Sequence, residues 1–376
     1  MLLLNEPAPW FTARSTVNPN FQIHTVAGRY VVLCFIGSAS AAPSGRVLHD
    51  IEHHRDRFNG DNAVFFGVSI DRDDERLGRI QQTWPAIIYF WDFDLEVSRL
   101  YGVASPAGAT YRPLTIILDP RLRIAAVLPI NDRGETHVAE ILAVLDGLPP
   151  IKTLNGFAPV LAVPEVFEAD LCRNLIKLYE QHGGYDSGFM RDVDGKTVAI
   201  VDHKHKHRSD YSLTQPGIIR ALQIRLYRRL IPEIKKAFQF NVTRIERHVV
   251  CCYDAAIGGY FRPHRDNTTK GTAHRRFAVT INLNADEYQG GDLRFPEFGP
   301  RLYRATTGGA IVFSCSLLHE AAPITQGNVM RTCRSCTRTR RPRCEIRTCR
   351  SSPTAPPDSR AIEPEPHIER SAFGRL

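Results

Sequence analysis

The sequence predicts two domains of different class: an α/β domain over residues 1–150, then a mainly-β jelly roll with supporting helices over residues 151–328. Three observations carry this. Strand-like apolar runs alternate with helix patterns through the first 150 residues, the order of a central sheet covered by helices on both faces. Gly147-Leu148-Pro149-Pro150 then interrupts the chain, because a proline pair cannot continue a helix and reads as a linker. Beyond it, two helix patterns are followed by many short strands separated by Gly- and Pro-rich turns, the order of a helix-backed β-sandwich.

Tyr30–Ile36 (YVVLCFI) and Ala63–Ile70 (AVFFGVSI) are continuous apolar runs and read as buried strands. A helix is expected between them from about Ser44 to Arg57, and a polar one over Asp73–Thr83. Ile87–Phe90 reads as a strand, with a short helix near Leu95–Tyr101. Leu114–Leu118 and Arg123–Ile130 are strands on either side of the turn at Asp119-Pro120, and Glu135–Leu148 closes the domain as an amphipathic helix. In the second domain, helices are expected over Val166–His182 and Gln215–Phe238. Strands follow over Ile245–Tyr253, Phe277–Leu283, Asp292–Phe295 and Gly309–Ser314. After Asn328 hydrophobic periodicity stops, so residues 329–376 read as a disordered Arg/Cys/Pro-rich tail.

The composition is that of a globular protein, with 43% hydrophobic and 23% charged residues. No apolar run has the length of a membrane span, and Met1–Leu4 is too short for a signal-peptide core, so a cytoplasmic protein without membrane contact is expected. The net charge is +8, but residues 329–376 alone hold eleven arginines against five acidic residues. The remainder is close to neutral, which argues against nucleic acid as a partner. Cys34, Cys172, Cys251, Cys252 and Cys315 lie mostly in apolar runs and read as buried free thiols. Cys333 and Cys336 have zinc-ligand spacing, with Cys344 and Cys349 further on. The turn and strand signals of a zinc module are missing around them.

The chemistry concentrates in Tyr253–Asn267 (YDAAIGGYFRPHRDN). His264 and Asp266 are two apart, and on a strand such residues share a face. His319 follows the strand-like GGAIVFSCSLL, and a sandwich can return that strand end beside the first. Two imidazoles and one carboxylate on one face leave coordination positions open, which suits non-haem Fe(II). Alone, His-x-Asp is a weak pattern, and a surface histidine beside a capping aspartate explains most isolated pairs. Here the context is fuller. Tyr253, Gly258, Gly259, Tyr260 or Phe261, His264 and Asp266, then Gly290-Gly291-Asp292-Leu293, Gly308-Gly309-Ala310, His319-Glu320, Pro323 and Gly327 together resemble the prolyl-hydroxylase-like branch of the 2-oxoglutarate/Fe(II)-dependent dioxygenases over about residues 155–328. The resemblance implies a double-stranded β-helix with Fe(II) on His264, Asp266 and His319, and with Tyr253 hydrogen-bonding 2-oxoglutarate. It implies hydroxylation of a protein, peptide or amino-acid substrate, prolyl among them. Succinate and CO2 are the co-products, and ascorbate keeps the iron reduced.

The same resemblance asks for an Arg or Lys about ten positions after the distal histidine, to grip the far carboxylate of 2-oxoglutarate. Position 329 is Val, and Arg331 is the nearest cation. Written back into codons, Asn328–Cys336 can be shifted by one restored nucleotide to read Arg-Tyr-Ala-Tyr-Leu-Pro-Phe-Leu, an apolar strand that begins with the expected Arg. The tail is therefore read as out of frame, which leaves the domain without its last core strand. The alternative is a natural basic extension.

In the first domain, Asn5-Glu6-Pro7-Ala8-Pro9-Trp10-Phe11, the strand Val31–Ile36 and Arg112–Pro120 resemble peroxiredoxins, over about residues 4–146. The resemblance implies an α/β thioredoxin-like fold. It also calls for Pro-x-x-x-Thr-x-x-Cys after the first strand, and those places hold Gly37, Ala41 and Ser44. A hydroxyl does not attack peroxide as a thiolate does, so no peroxidase activity is expected and Arg112 has no thiolate to stabilise. His203-x-His205-x-His207, interleaved with Lys204, Lys206 and Arg208, reads as a solvated basic loop, or else as part of the pocket mouth. His274-Arg275-Arg276 is either a loop over the iron or simply exposed. The competing readings are thus an Fe(II)/2-oxoglutarate hydroxylase and a non-catalytic binding or scaffold protein with both domains degraded.

Overall fold

Eight consecutive buried residues, Tyr30–Gly37, form the central strand β1 of the first domain. A strand covered on both faces needs no alternation of polar and apolar residues, and YVVLCFIG has none. In the computed structural model, which describes residues 2–131 and 133–337, β1 pairs in parallel with β2 (Ala63–Ser69), which pairs in parallel with β3 (Ile87–Trp91). On its other edge β1 pairs antiparallel with β4 (Leu114–Leu118), followed by β5 (Ile124–Pro129). Helices α1 (Ala42–His53) and α2 (His137–Gly147) complete a thioredoxin-like fold. The polar helix expected over Asp73–Thr83 is only Arg72–Arg76: Asp71 caps its start, and Gly78 with φ +63° follows its end.

The second domain begins with β6 (Leu161–Val163) and α3 (Ala169–His182). The helix expected over Gln215–Phe238 is divided into α4 (Pro216–Arg225), a π turn at Leu226–Leu230, and α5 (Ile231–Phe238). Pro232 has no N–H for the helix ladder, which accounts for the widened turn. The jelly roll is then built from β7 (Ser209–Ser212), β8 (Val249–Asp254), β9 (Tyr260–His264), β10 (Phe277–Asn282), β11 (Leu293–Arg294), β12 (Ala310–Ser314), β13 (His319–Ala321) and β14 (Asn328–Thr337). One sheet runs β6-β12-β10-β14-β8-β7, and the facing one contains β9-β13-β11. The strand expected over Ile245–Tyr253 is broken at Arg247, whose φ of +59° no regular strand accommodates. A hairpin of Phe189–Val193 and Lys196–Ile200, turning at Asp194-Gly195, was not expected.

The largest correction concerns the segment after Asn328. It is not a tail at that point. β14 lies in the middle of the large sheet, paired with β8 on one side and β10 on the other. Its backbone donors and acceptors are met by both neighbours, which a sheet supplies whatever the side chains are. Its side chains suit the place less well. Thr332, Arg334 and Ser335 are buried, and the Thr332 hydroxyl and two nitrogens of Arg334 have no hydrogen-bond partner. Cys333 and Cys336, three apart on one strand, lie on opposite faces, so they do not offer their sulfurs to a common zinc. Cys344, Cys349 and the expected disorder of the tail fall outside the described residues.

Candidate metal centre

β9 and β13 run antiparallel, with His264 opposite His319. This register brings the ends of two strands distant in sequence into contact, and Asp266 follows β9 by two residues on the same side. One donor atom from each of His264, Asp266 and His319 falls within 4.8 Å of the others. The Nε2 of His264 is 3.6 Å from Asp266 Oδ1, and the Nε2 of His319 is 3.8 Å from Asp266 Oδ2. Each imidazole is held from behind: Nδ1 of His264 lies 2.8 Å from the Arg262 carbonyl, and Nδ1 of His319 3.0 Å from the Leu317 carbonyl. A carbonyl only accepts, so both Nδ1 atoms carry the proton and both Nε2 lone pairs point at the shared space. The three donors therefore fit a divalent metal.

The rings around the centre are apolar. Phe261 stacks on His264 with centroids 3.5 Å apart, and Phe313 packs edge-on against His319 at 4.6 Å. Burial, reinforced by the nearby His264, pushes His319 down to about 4, so its ring is neutral at physiological pH. Burial works against the Asp266 carboxylate, but His264 and His319 overrule it and hold the group well below the usual carboxylate range.

The centre opens into a cleft of about 1130 Å³ that Tyr253, Lys206, Arg208 and Arg331 also line. Tyr253 is buried on β8. Arg331 sits on β14, 2% exposed, paired with Asn282 and Cys251 across the strand. Its Nη2 donates to the Tyr288 hydroxyl at 3.2 Å and to the Gly291 carbonyl at 2.6 Å, and its Nε has no partner. None of the ion pairs among the described residues includes it. A buried cation with neutral partners and a spare N–H is what a small dicarboxylate needs at the far end of a pocket. Val329, at the position where the cation was expected, packs instead with Tyr253, Tyr288, Ala321 and Ile324.

The basic loop is corrected in part. His203 and Lys204 are exposed as expected, but Lys206 and Arg208 turn inward beside the cleft, 3% and 6% exposed. The Lys206 ammonium donates to Ser187 Oγ and the Gly188 carbonyl, and Arg208 pairs with Asp210 at 2.7 Å. Burial first, then the Arg208 charge, lower Lys206 to about 7. Alternation was the available signal: Lys206, Arg208 and Asp210 are spaced by two and share one face of an extended segment. His205 lies with its ring 6.4 Å from that of His264 and outside the donor set. His274 is exposed and paired with Glu246, whereas Arg275 is buried against the same carboxylate.

In the first domain, the Ser44 hydroxyl is buried and donates to the Ile36 carbonyl at 2.7 Å. Cys34 is fully buried in mid-strand, and burial raises its thiol to about 12. Neither is a thiolate open to peroxide.

Residues 4–127 match the model of the AhpC/TSA family, and residues 232–337 that of the 2OG-Fe(II) oxygenase superfamily. Similar solved structures include a prolyl-4-hydroxylase from Pseudomonas putida, 14% identical over 48% of this chain and 94% of that one, with a TM-score of 0.35. A viral collagen prolyl hydroxylase from Paramecium Bursaria Chlorella virus-1 is 15% identical over 47% of this chain and 94% of its own, with a TM-score of 0.35. For the first domain, the mitochondrial 2-Cys peroxiredoxin of Plasmodium falciparum is 19% identical over 39% of this chain and 93% of that one, with a TM-score of 0.32. No curated protein matches the sequence.

Proposed function

Because the chain joins a peroxiredoxin-like domain to a 2OG-Fe(II) oxygenase domain, we propose that it is an Fe(II)- and 2-oxoglutarate-dependent hydroxylase of a protein or peptide side chain, with prolyl residues the first candidate. The observation that carries this is the convergence of the His264 and His319 Nε2 atoms on the Asp266 carboxylate, with both Nδ1 atoms already engaged. When bound there, Fe(II) supplies the redox chemistry that divides O2 between succinate and a hydroxylated C–H bond, with loss of CO2. Ascorbate would serve as the reductant.

The chain's own groups prepare this reaction. Arg331 takes the distal carboxylate of 2-oxoglutarate, using the Nε that now lacks a partner, and Tyr253 donates to a carboxylate of the same molecule. Asp266 remains ionised and offsets the metal charge. Phe261, Leu293 and Phe313 keep water from the cleft floor. The cleft exceeds the usual volume of a small-molecule pocket, which favours a peptide over a free amino acid. The test is Fe(II)-dependent succinate formation from 2-oxoglutarate, with ascorbate present and peptide substrates added. Turnover is expected in the natural chain and absent in Asp266→Ala. An iron-loaded natural chain that forms no succinate would count against the reading.

A second reading is a non-catalytic binding protein. Val329, the buried polar side chains of β14 and Ser44 favour it. In this reading β14 is the product of a one-nucleotide frame change, and sequencing the gene around codon 328 tests that: an unambiguous read with no strand-encoding alternative frame would exclude it.

A further inference from the structure

We propose that the redoxin-like domain is a working part of the metal centre: it grips both chain segments that carry the three donors. This rests on the reading of His264, Asp266 and His319 as metal ligands.

The first grip is on Arg265, which stands between two of the donors. It lines the same cleft as its neighbours, and its side chain is 2% exposed. The guanidinium pairs with Glu297 at 2.9 Å and donates to the Ser316 carbonyl. Its remaining partners come from the first domain. Nη2 reaches the His24 carbonyl at 3.3 Å, and the group lies 4.7 Å from the centre of the Trp10 ring. Trp10 in turn packs on the His24 ring.

The second grip is on Leu318, the residue before His319. It is 1% exposed and belongs to the hydrophobic core of the redoxin-like domain, with Val31, Phe35 and Ile117 among the members of that core. Its backbone N–H donates to Glu297 Oε2 at 2.9 Å. A single carboxylate, Glu297, thus ties Arg265 to Leu318 and so fixes the two donor segments to one another. The domain seam closes over this tie. Gly28 approaches so nearly that an added Cβ would stand 2.3 Å from the Cβ of Pro296, next to Glu297.

Metal affinity depends on donors being held in place before the metal arrives, and groups that orient the donors contribute about 10- to 100-fold when they are removed. Trp10 and Leu318 are such positioning residues, although neither touches the donors' coordinating atoms. A scaffold of this kind makes no use of a peroxidatic thiol, which accounts for a redoxin fold that keeps its core and carries Ser44.

The experiment uses the full chain and Co(II) as the probe, with affinity from calorimetry, coordination from the visible d–d bands, and folding from thermal melting. Trp10→Ala and Leu318→Ala are compared with Ile51→Ala, which truncates a buried residue of α1 in the same core. Trp10→Ala and Leu318→Ala are expected to weaken cobalt binding by about 10-fold or more and to alter the d–d bands. Ile51→Ala should lower the melting temperature and leave affinity and spectrum as in the natural chain. Trp10 is 51% exposed, so Trp10→Ala should fold even where Leu318→Ala does not. A folded Trp10→Ala with unchanged affinity and spectrum overturns the proposal, as does an equal loss in Ile51→Ala. A natural chain that binds no cobalt overturns both this proposal and the metal-centre reading. Cobalt binding that responds to Trp10→Ala supports the proposal even without succinate formation, which would count only against the hydroxylase reading.

Discussion

A histidine whose Nδ1–H is bound to a carbonyl has only Nε2 left to give, and this state of His264 and His319 is what turns two ring residues into a directed donor pair. Two other residues of the cleft carry predictions. Arg331→Met should raise the KM for 2-oxoglutarate about 10- to 100-fold, from the roughly 1.5–3 kcal/mol of charge-assisted hydrogen bonding it removes. Fe(II) affinity should stay unchanged, and a KM equal to that of the natural chain would remove Arg331 from the co-substrate site. Lys206 predicts a pH effect. Its folded value is about 7 against an ordinary 10.5, so between those values the unfolded chain binds the extra proton and stability rises with pH. The penalty is fully present below pH 7 and relieved as pH climbs. Urea denaturation of Lys206→Met against the natural chain should therefore show a difference that grows in the natural chain's favour from neutral to alkaline pH. A flat difference would argue against a depressed lysine.

At the scale of elements, β14 decides most. Sequence periodicity ends at Asn328 because NVMRTCRSCT has no apolar alternation, yet this segment fills the gap between β8 and β10. An open central position in a sheet exposes two rows of backbone donors and acceptors, and the strand that closes it satisfies them whatever its side chains are. The cost falls on the side chains. Arg334 is on the face of Val279, with two nitrogens unpartnered, and burial lowers it to about 10. Arg334→Met should stabilise the protein by about 1–3 kcal/mol, the scale of an unsatisfied buried polar group, seen as a higher urea midpoint. A lower midpoint would mean that its contacts with His248 and the Arg247 carbonyl outweigh that penalty. The hairpin at Asp194-Gly195 was legible and missed. Asp-Gly between two β-prone runs is a strong short-range turn signal, and both residues have positive φ here.

At the scale of the whole molecule, the two domains share a seam and form one compact unit. Gly28 adopts φ +92° against Pro296, so Gly28→Ala meets both a left-handed backbone and a clash. It should destabilise the full chain by roughly 1–3 kcal/mol, measured by urea denaturation. Native stability would show that the seam can yield at that point.

Local chemistry alone made much of this protein legible. Continuous apolar runs gave the redoxin-like sheet, because a strand buried on both faces must be apolar throughout. The spacing of His264 and Asp266, with His319 after an apolar strand, pointed to the triad that the fold brings together, because residues two apart on a strand share a face. Tertiary structure decided the rest. It made β14 a core strand despite its polar text, since neighbouring strands rather than side chains satisfied its backbone. It turned Lys206 and Arg208 inward beside the cleft. It also set Arg265 against His24, 241 residues away in sequence, and placed Leu318 in the core of the first domain. Such contacts leave no periodic trace in the chain, because each depends on where a second, independently patterned domain comes to rest.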